Sequence, residues 1–242
     1  MTLFLTSSPF IDGADRAILS NANHFIDRIK EALPPYPRML YICSDPDNRA
    51  DTCAYGADTF TAFREAGMPC SSYSVLDGYN AEDAPFLVKN SDFIVLCGGY
   101  VPAQNRFFRD IGLKELLKNY KGVIMGISAG TMNAPSTVYV QPEAPGESAP
   151  TFPRFAPGLG LTDVNVCPHY QKVKHMLLDG KRLFEDITYP DSMGHTFFAL
   201  PDGSYIYQKG RRKLLCGEAY RIKNGILELL TLDGEVLDMA KL

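Results

Sequence analysis

The chain has 242 residues, 45% of them hydrophobic and 21% charged, with 24 lysines and arginines against 28 acids and a net charge of −4. That is globular composition with enough apolar material for a substantial core, and an acidic balance without a basic stripe argues against nucleic acid as a partner. No apolar run is long enough to span a bilayer, and the N-terminus lacks a charged-then-apolar leader, so a cytoplasmic protein without membrane association is expected.

Leu3–Leu5 opens the chain as a strand. Phe25, Ile26, Ile29 and Leu33 then share one helical face, which Pro34-Pro35 stops. Arg38–Cys43 reads as a second strand. A helix over Asp51–Ala66 ends at Gly67, with Pro69 beyond. Tyr73–Leu76 and Phe93–Cys97 are further strands, with a short helix around Ala84–Lys89 between them. Gln104–Tyr120 carries a helical apolar pattern that Gly112 interrupts, and Val123–Ile127 follows as a strand. Alternating strands and helices with continuously apolar strands predict a parallel sheet covered by helices on both faces, in one domain over 1–242.

Pro135–Pro157 departs from this rhythm. Its prolines, glycine and hydroxylated residues predict a long surface loop or a short hairpin. Asp163–Cys167 reads as a strand and Gln171–Phe184 as a helix. The tail then turns β-rich, with strands at Thr196–Leu200, Gly203–Gln208, Lys213–Cys216, Ala219–Ile222 and Gly225–Thr231. Asp202-Gly203, Asn224-Gly225 and Asp233-Gly234 supply turns, and Lys209, Arg211, Arg212 and Lys213 fall at a solvated hairpin. The six cysteines are scattered without a C-x-x-C pair, so neither disulfides nor zinc are expected.

The densest chemical signal is Gly122–Asn133. Val123–Ile127 runs into Gly126-Ile-Ser128-Ala-Gly130, the layout of a nucleophile elbow, in which a tight strand-to-helix turn holds a serine above the sheet edge. The alternative is a βα turn in which Ser128 merely caps a helix. A serine nucleophile needs a base, and only His24, His169, His175 and His195 are present. His24 and His175 read as surface residues. His169 follows a strand and Pro168, at the strand end where ligands of open α/β sheets bind. His195 precedes a strand and so falls at the opposite end. Asp202, just past Thr196–Leu200, is the candidate orienting acid, although Pro201-Asp202-Gly203 also suits an ordinary turn. The backbone N–H groups of Gly99 and Ala129 are candidate oxyanion donors. The glycines after Phe93–Cys97 match no nucleotide-binding pattern, and no cofactor is expected.

In these segments the chain resembles the peptidase E (aspartyl dipeptidase, S51) family. The matching runs are Ile94-Val-Leu-Cys-Gly-Gly99, Met125-Gly-Ile-Ser-Ala-Gly130, Val166-Cys-Pro-His-Tyr170 and Ala199-Leu-Pro-Asp-Gly203. The resemblance implies an α/β three-layer sandwich with a mostly parallel central sheet, like that of class I glutamine amidotransferases, plus the β-rich C-terminal segment. It implies Ser128, His169 and Asp202 as a triad, Gly99 and Ala129 as the oxyanion hole, and a small peptide, such as an N-terminal Asp dipeptide, as substrate. Departures are Cys97 before only two glycines, Tyr100-Val101 after them, Ile127 for the usual tryptophan and Asp for Glu at 202. An acidic substrate side chain calls for a cation, and Arg106, Arg109 and Arg154 are the candidates. Two readings compete: an esterase using Ser128 with His195 and Asp163 or Asp179, and a binding protein of the same fold without turnover. A cysteine amidohydrolase is disfavoured by the serine at the elbow. A homo-oligomer is left open.

Overall fold

The computed structural model describes Met1–Leu242. Its first half alternates β1 (Thr2–Thr6), α1 (Phe25–Ala32), β2 (Arg38–Ile42), α2 (Arg49–Glu65), β3 (Ser72–Leu76), α3 (Ala84–Lys89), β4 (Phe93–Leu96), α4 (Val101–Asp110), α5 (Leu113–Leu117), β5 (Val123–Ile127) and α6 (Ala129–Met132). The break at Gly112 is real: that residue adopts φ 65° between α4 and α5. The five strands pair in parallel in the order β1-β5-β4-β2-β3.

Their apolar residues alternate between two cores, as period-2 geometry requires. Leu5, Leu40, Ile94, Leu96 and Ile124 pack with α3, α4 and α5 on one face. Phe4, Met39, Tyr41, Val95 and Met125 pack with α1 and α2 on the other. Each buried side chain contributes about 1.5–3 kcal/mol. Covering both faces makes the continuous hydrophobicity of these strands a necessity.

The second half holds β6 (Thr137–Tyr139), β7 (Phe155–Pro157), β8 (Asn165–Cys167), α7 (Tyr170–Val173), β9 (Leu177–Leu178), β10 (Lys181–Arg182), a π-helical turn (Leu183–Thr188), β11 (Thr196–Ala199), β12 (Tyr205–Lys209), β13 (Arg212–Cys216), β14 (Ala219–Lys223), β15 (Ile226–Thr231) and β16 (Val236–Asp238). Strands β12, β13 and β16 extend the large sheet beside β1 by antiparallel pairing. The expected mixed, mostly parallel α/β fold with additional C-terminal strands is what the chain adopts.

Two local expectations need correction, and one is decided between its two alternatives. Gln171–Phe184 is not a helix. One helical turn, α7, is followed by the β9–β10 hairpin, because Asp179 and Gly180 adopt φ 50° and 78°, as a two-residue hairpin turn demands. Of the two readings of Pro135–Pro157, loop or hairpin, the chain adopts the hairpin, β6–β7, and Val138, Tyr139, Val140 and Gln141 within it are buried. Finally, β8 and β11 do not join the large sheet. They form a second sheet in the order β15-β14-β11-β8, with β8 and β11 parallel. One face of it adds Val166 and Phe198 to the α4–α5 core, and the other packs Cys167, Phe197 and Ile222 with Tyr139 and Phe184.

Candidate active site

Register brings the key turns level. Thr6 pairs with Ile127 and Leu96 with Gly126, so Ser7, Ser128 and Cys97 leave adjacent strands at the same edge. Ser128 sits at φ 48°, ψ −109°, a conformation of the kind that costs a non-glycine residue about 1–3 kcal/mol. Its N–H donates to the carbonyls of Thr6 and Ser7, at 3.2 and 3.0 Å, which hold the turn. The flanking glycines are there for close approach. A Cβ on Gly130 would lie 2.1 Å from the Leu96 carbonyl oxygen, and one on Gly126 would lie 2.7 Å from the Thr131 nitrogen. Ser128 therefore stands on a tight strand-to-helix turn between β5 and α6.

From the second sheet, β8 delivers His169 and β11 delivers Asp202. His169 Nε2 lies 2.9 Å from Ser128 Oγ, and His169 Nδ1 lies 2.7 Å from Asp202 Oδ1. The three residues therefore meet across the junction of two sheets, each just past the end of its strand. The Asp202 side chain is 9% exposed and that of His169 32%. Burial pushes the Asp202 carboxyl up. Hydrogen bonds from His169 and Ser7, with the Lys172 ammonium at 3.1 Å, outweigh burial and hold it well below the usual carboxylate range. The acid is thus a firm anion facing an imidazole, and that imidazole faces a hydroxyl. Such a series can draw the proton from Ser128 and stabilise the imidazolium that results.

Gly99 follows β4 at φ 146°, where a Cβ would sit 2.1 Å from Ser44 Oγ, so no other residue fits that turn. The preceding Gly98 lies against Ser128, with 3.5 Å between a Cβ built on it and Ser128 Cβ. Ala129 is the first residue of α6, where backbone N–H groups lack helical partners.

Two hollows meet at Gly99. A small one of about 70 Å³ contains Ser128 and His169 and is walled by Gln141, Pro142, Val173 and Met176. A cleft of about 730 Å³ runs from Gly98 and Gly99 past Asp12, Asp45 and Asp51. The largest hollow, about 850 Å³, lies at the other end of the strands beside Thr2, Arg38 and Gly122, away from Ser128.

The remaining candidates are placed elsewhere. His24, His175 and His195 are exposed. His195 stacks on Phe155 at 4.3 Å and stands just before β11, at the end of that strand remote from Asp202. Asp163 pairs with Lys213, and Asp179 accepts the N–H groups of Gly146 and Ser148. The esterase constellation is therefore not assembled. Cys97 and Cys167 are buried, and burial pushes both thiols up. Arg106 and Arg109 are exposed on α4 and line neither hollow beside Ser128. Arg154 is held by Asp191 at 3.1 Å and the Glu147 carbonyl at 2.6 Å.

Several residues at the site carried no sequence signal. Ser7 Oγ donates to Asp202 Oδ1 at 2.7 Å and accepts the His169 N–H at 2.7 Å. Gln171 Nε2 donates to Asp202 Oδ2 at 2.8 Å, and Lys172 bridges Asp202 to Asp12. Tyr100 donates to Glu147, which ties the segment after β6 to the turn after Gly99; that hydrogen bond pushes the phenol up to about 12. A Ser-Ser-Pro run after a strand, or a lysine on a helical turn, looks like ordinary surface chemistry.

Residues 3–215 match peptidase family S51. Among solved structures, a peptidase from an acI-B1 actinobacterium is similar over 98% of this chain and 96% of its own, with 19% identity and a TM-score of 0.69. A peptidase E candidate from Listeria monocytogenes EGD-e is similar over 95% of this chain and 98% of its own, with 17% identity and a TM-score of 0.61. At those identities the structural likeness speaks for the fold. No curated protein gave a significant match. No helix is long and apolar enough to cross a membrane.

Proposed function

The chain belongs to peptidase family S51, as a serine peptidase of the peptidase E type, and from that premise we propose that it cleaves small peptides through an acyl-enzyme formed on Ser128. Ser128 Oγ attacks the scissile carbonyl carbon while His169 Nε2 takes its proton. The oxyanion of the tetrahedral adduct accepts hydrogen bonds from the Gly99 and Ala129 N–H groups. The imidazolium, stabilised by Asp202, gives its proton to the leaving amine as the C–N bond breaks. Water, deprotonated by the same imidazole, then hydrolyses the ester. The observation that carries the reading is the continuous series Ser128–His169–Asp202, at 2.9 and 2.7 Å.

The walls support a short substrate. Gln141, Pro142 and Met176 wall the hollow around Ser128, which holds only about 70 Å³. Charge supports a neutral or cationic peptide over an Asp-X dipeptide. The larger cleft is lined by Asp12, Asp15, Asp45, Asp51 and Asp58, its only cation, Arg16, is paired with Glu65, and Glu143 lines the small hollow. An aspartyl side chain would meet like charge there.

The test is a panel of Asp-X, Ala-X and Lys-X dipeptides with acyl esters, run on wild type and Ser128→Ala, alongside labelling by a fluorophosphonate. Peptide cleavage and Ser128 labelling, both lost in Ser128→Ala, are expected. Loss of a triad nucleophile typically lowers kcat around a millionfold. More than about a tenth of wild-type turnover in the mutant would overturn the serine mechanism. Preferred cleavage of Asp-X would overturn the charge reading and leave the chemistry standing.

A further inference from the structure

We propose that Ser7 is a positioning residue of the hydrolytic centre, the one residue that touches all three members of the Ser128–His169–Asp202 series. The proposal rests on the function given above, and the measurements below separate the two.

Ser7 is the first residue past β1, and β1 lies between the elbow strand β5 and the strand β12 that follows the Asp202 turn. From that central place it makes three contacts. Its carbonyl accepts the Ser128 N–H at 3.0 Å, its hydroxyl accepts the His169 N–H at 2.7 Å, and the same hydroxyl donates to Asp202 Oδ1 at 2.7 Å. Its own N–H donates to the Ser204 carbonyl, and the next residue, Ser8, accepts from Gly203, so the acid turn is pinned to the same strand end. Ser7 is fully buried. No water can take over either role of the hydroxyl without a cavity being opened.

Two consequences follow. His169 stands at φ 57°, ψ 28°, a left-handed conformation that a non-glycine residue adopts only when its surroundings hold it there. The bond from its N–H to Ser7 Oγ is one such restraint. It aims the ring so that Nδ1 and Nε2 reach Asp202 and Ser128 together. The donated Ser7 hydrogen bond also takes up part of the charge on Asp202 Oδ1, the oxygen that faces His169 Nδ1. Without it that oxygen holds the imidazolium more strongly, and His169 keeps its proton to higher pH. The other charged groups around the ring are Glu143 across the hollow, Lys172 on Asp202 Oδ2, and Asp12 on Lys172. None of them touches Oδ1.

The experiment compares wild type, Ser7→Ala and Ser7→Thr, with Ser128→Ala as control. Imidazole NMR follows the titration of His169, assigned against His169→Gln and the three other histidines. Thermal melts report folding. In Ser7→Ala the His169 midpoint is expected to rise by roughly half a pH unit or more. Fluorophosphonate labelling should slow about 10- to 100-fold. Ser7→Thr, which keeps a hydroxyl, should restore the midpoint. If its methyl group prevents folding, the Ser7→Ala titration still decides. An unmoved His169 midpoint in folded Ser7→Ala overturns the proposal, whatever happens to the rate. A wild-type protein that is not labelled at Ser128 overturns the proposed function instead, and the titration reads Ser7 regardless.

Discussion

Gly130 leaves no room for a side chain: a Cβ there would meet the Leu96 carbonyl oxygen at 2.1 Å, and that oxygen belongs to the central strand β4. Gly130→Ala must therefore push α6 off β4, and a loss of about 1–3 kcal/mol is expected, read as a lowered midpoint in urea unfolding. An unchanged midpoint would mean that the elbow is looser than its contacts imply. Asp202→Asn tests the acid. It keeps the shape and removes the charge that faces His169 Nδ1, so kcat should fall by about three to four orders of magnitude with KM changed far less. Equal losses in Asp202→Asn and His169→Ala would show that the pair acts as a unit. Ser128, His169 and Asp202 stood out in the sequence because each follows an apolar strand with a residue type suited to acyl transfer. Ser7 did not, because its role exists only once β1, β8 and β11 converge. Nothing local distinguishes it from Ser8 beside it.

The turn after β4 is held by a group of buried amides. Gln104 donates to the Cys97 carbonyl at 2.9 Å, Asn133 donates to Gln104 Oε1 at 3.0 Å and to the Val101 carbonyl at 3.2 Å, and Asn105 donates to Asn133 Oδ1 and the Pro157 carbonyl, both at 2.9 Å. Gln104 and Asn133 are fully buried. The network ties α4, the residue after α6 and the end of β7 to the strand end that presents Gly98-Gly99. Asn133→Ala would strand several buried partners, each costing about 1–3 kcal/mol. Markedly reduced stability is expected, together with faster hydrogen exchange in α4 and α6. Protection unchanged in both helices would refute the coupling. Elements were legible where one signal dominated, as at Pro34-Pro35 and Gly67. They were misread where two competed. Residues 171 to 184 read as one helix, yet Asp179-Gly180 is also a turn pair, and its two positive φ values decide the fold there. That β8 and β11 leave the large sheet could not be read locally either. A buried parallel strand has the same apolar pattern in either sheet, and its partner is fixed by packing on β14 and the β6–β7 hairpin.

At the scale of the whole molecule, stability should form a plateau bounded by two sets of groups. On the acid side Asp202, Asp163 and Asp92 have folded-state values lowered by their partners, above all His169 and Ser7, Lys213, and Arg38 respectively. Their contribution is complete above the unfolded value near 3.8 and is lost as pH falls through the folded values. On the alkaline side burial raises the thiols of Cys43, Cys97, Cys167 and Cys216 and the phenols of Tyr41, Tyr139 and Tyr205. Above their unfolded values of about 9 and 10 the unfolded chain sheds protons that the folded chain retains, so the unfolded state binds fewer protons and stability falls as pH rises. Because seven groups act together, the alkaline limb should be the steeper one. Melting temperature measured from pH 4 to 11 should hold through neutrality and drop progressively above about pH 9. Thiol titration at pH 8 gives an independent check. All six cysteines are free, but only Cys53 and Cys70 are partly accessible, so a disulfide reagent should modify those two in the folded protein and all six after denaturation. Rapid modification of four or more thiols under native conditions would mean that the cores open readily. The alkaline limb would then be shallow, because thiols that reach water in the folded state titrate there as they do in the unfolded chain.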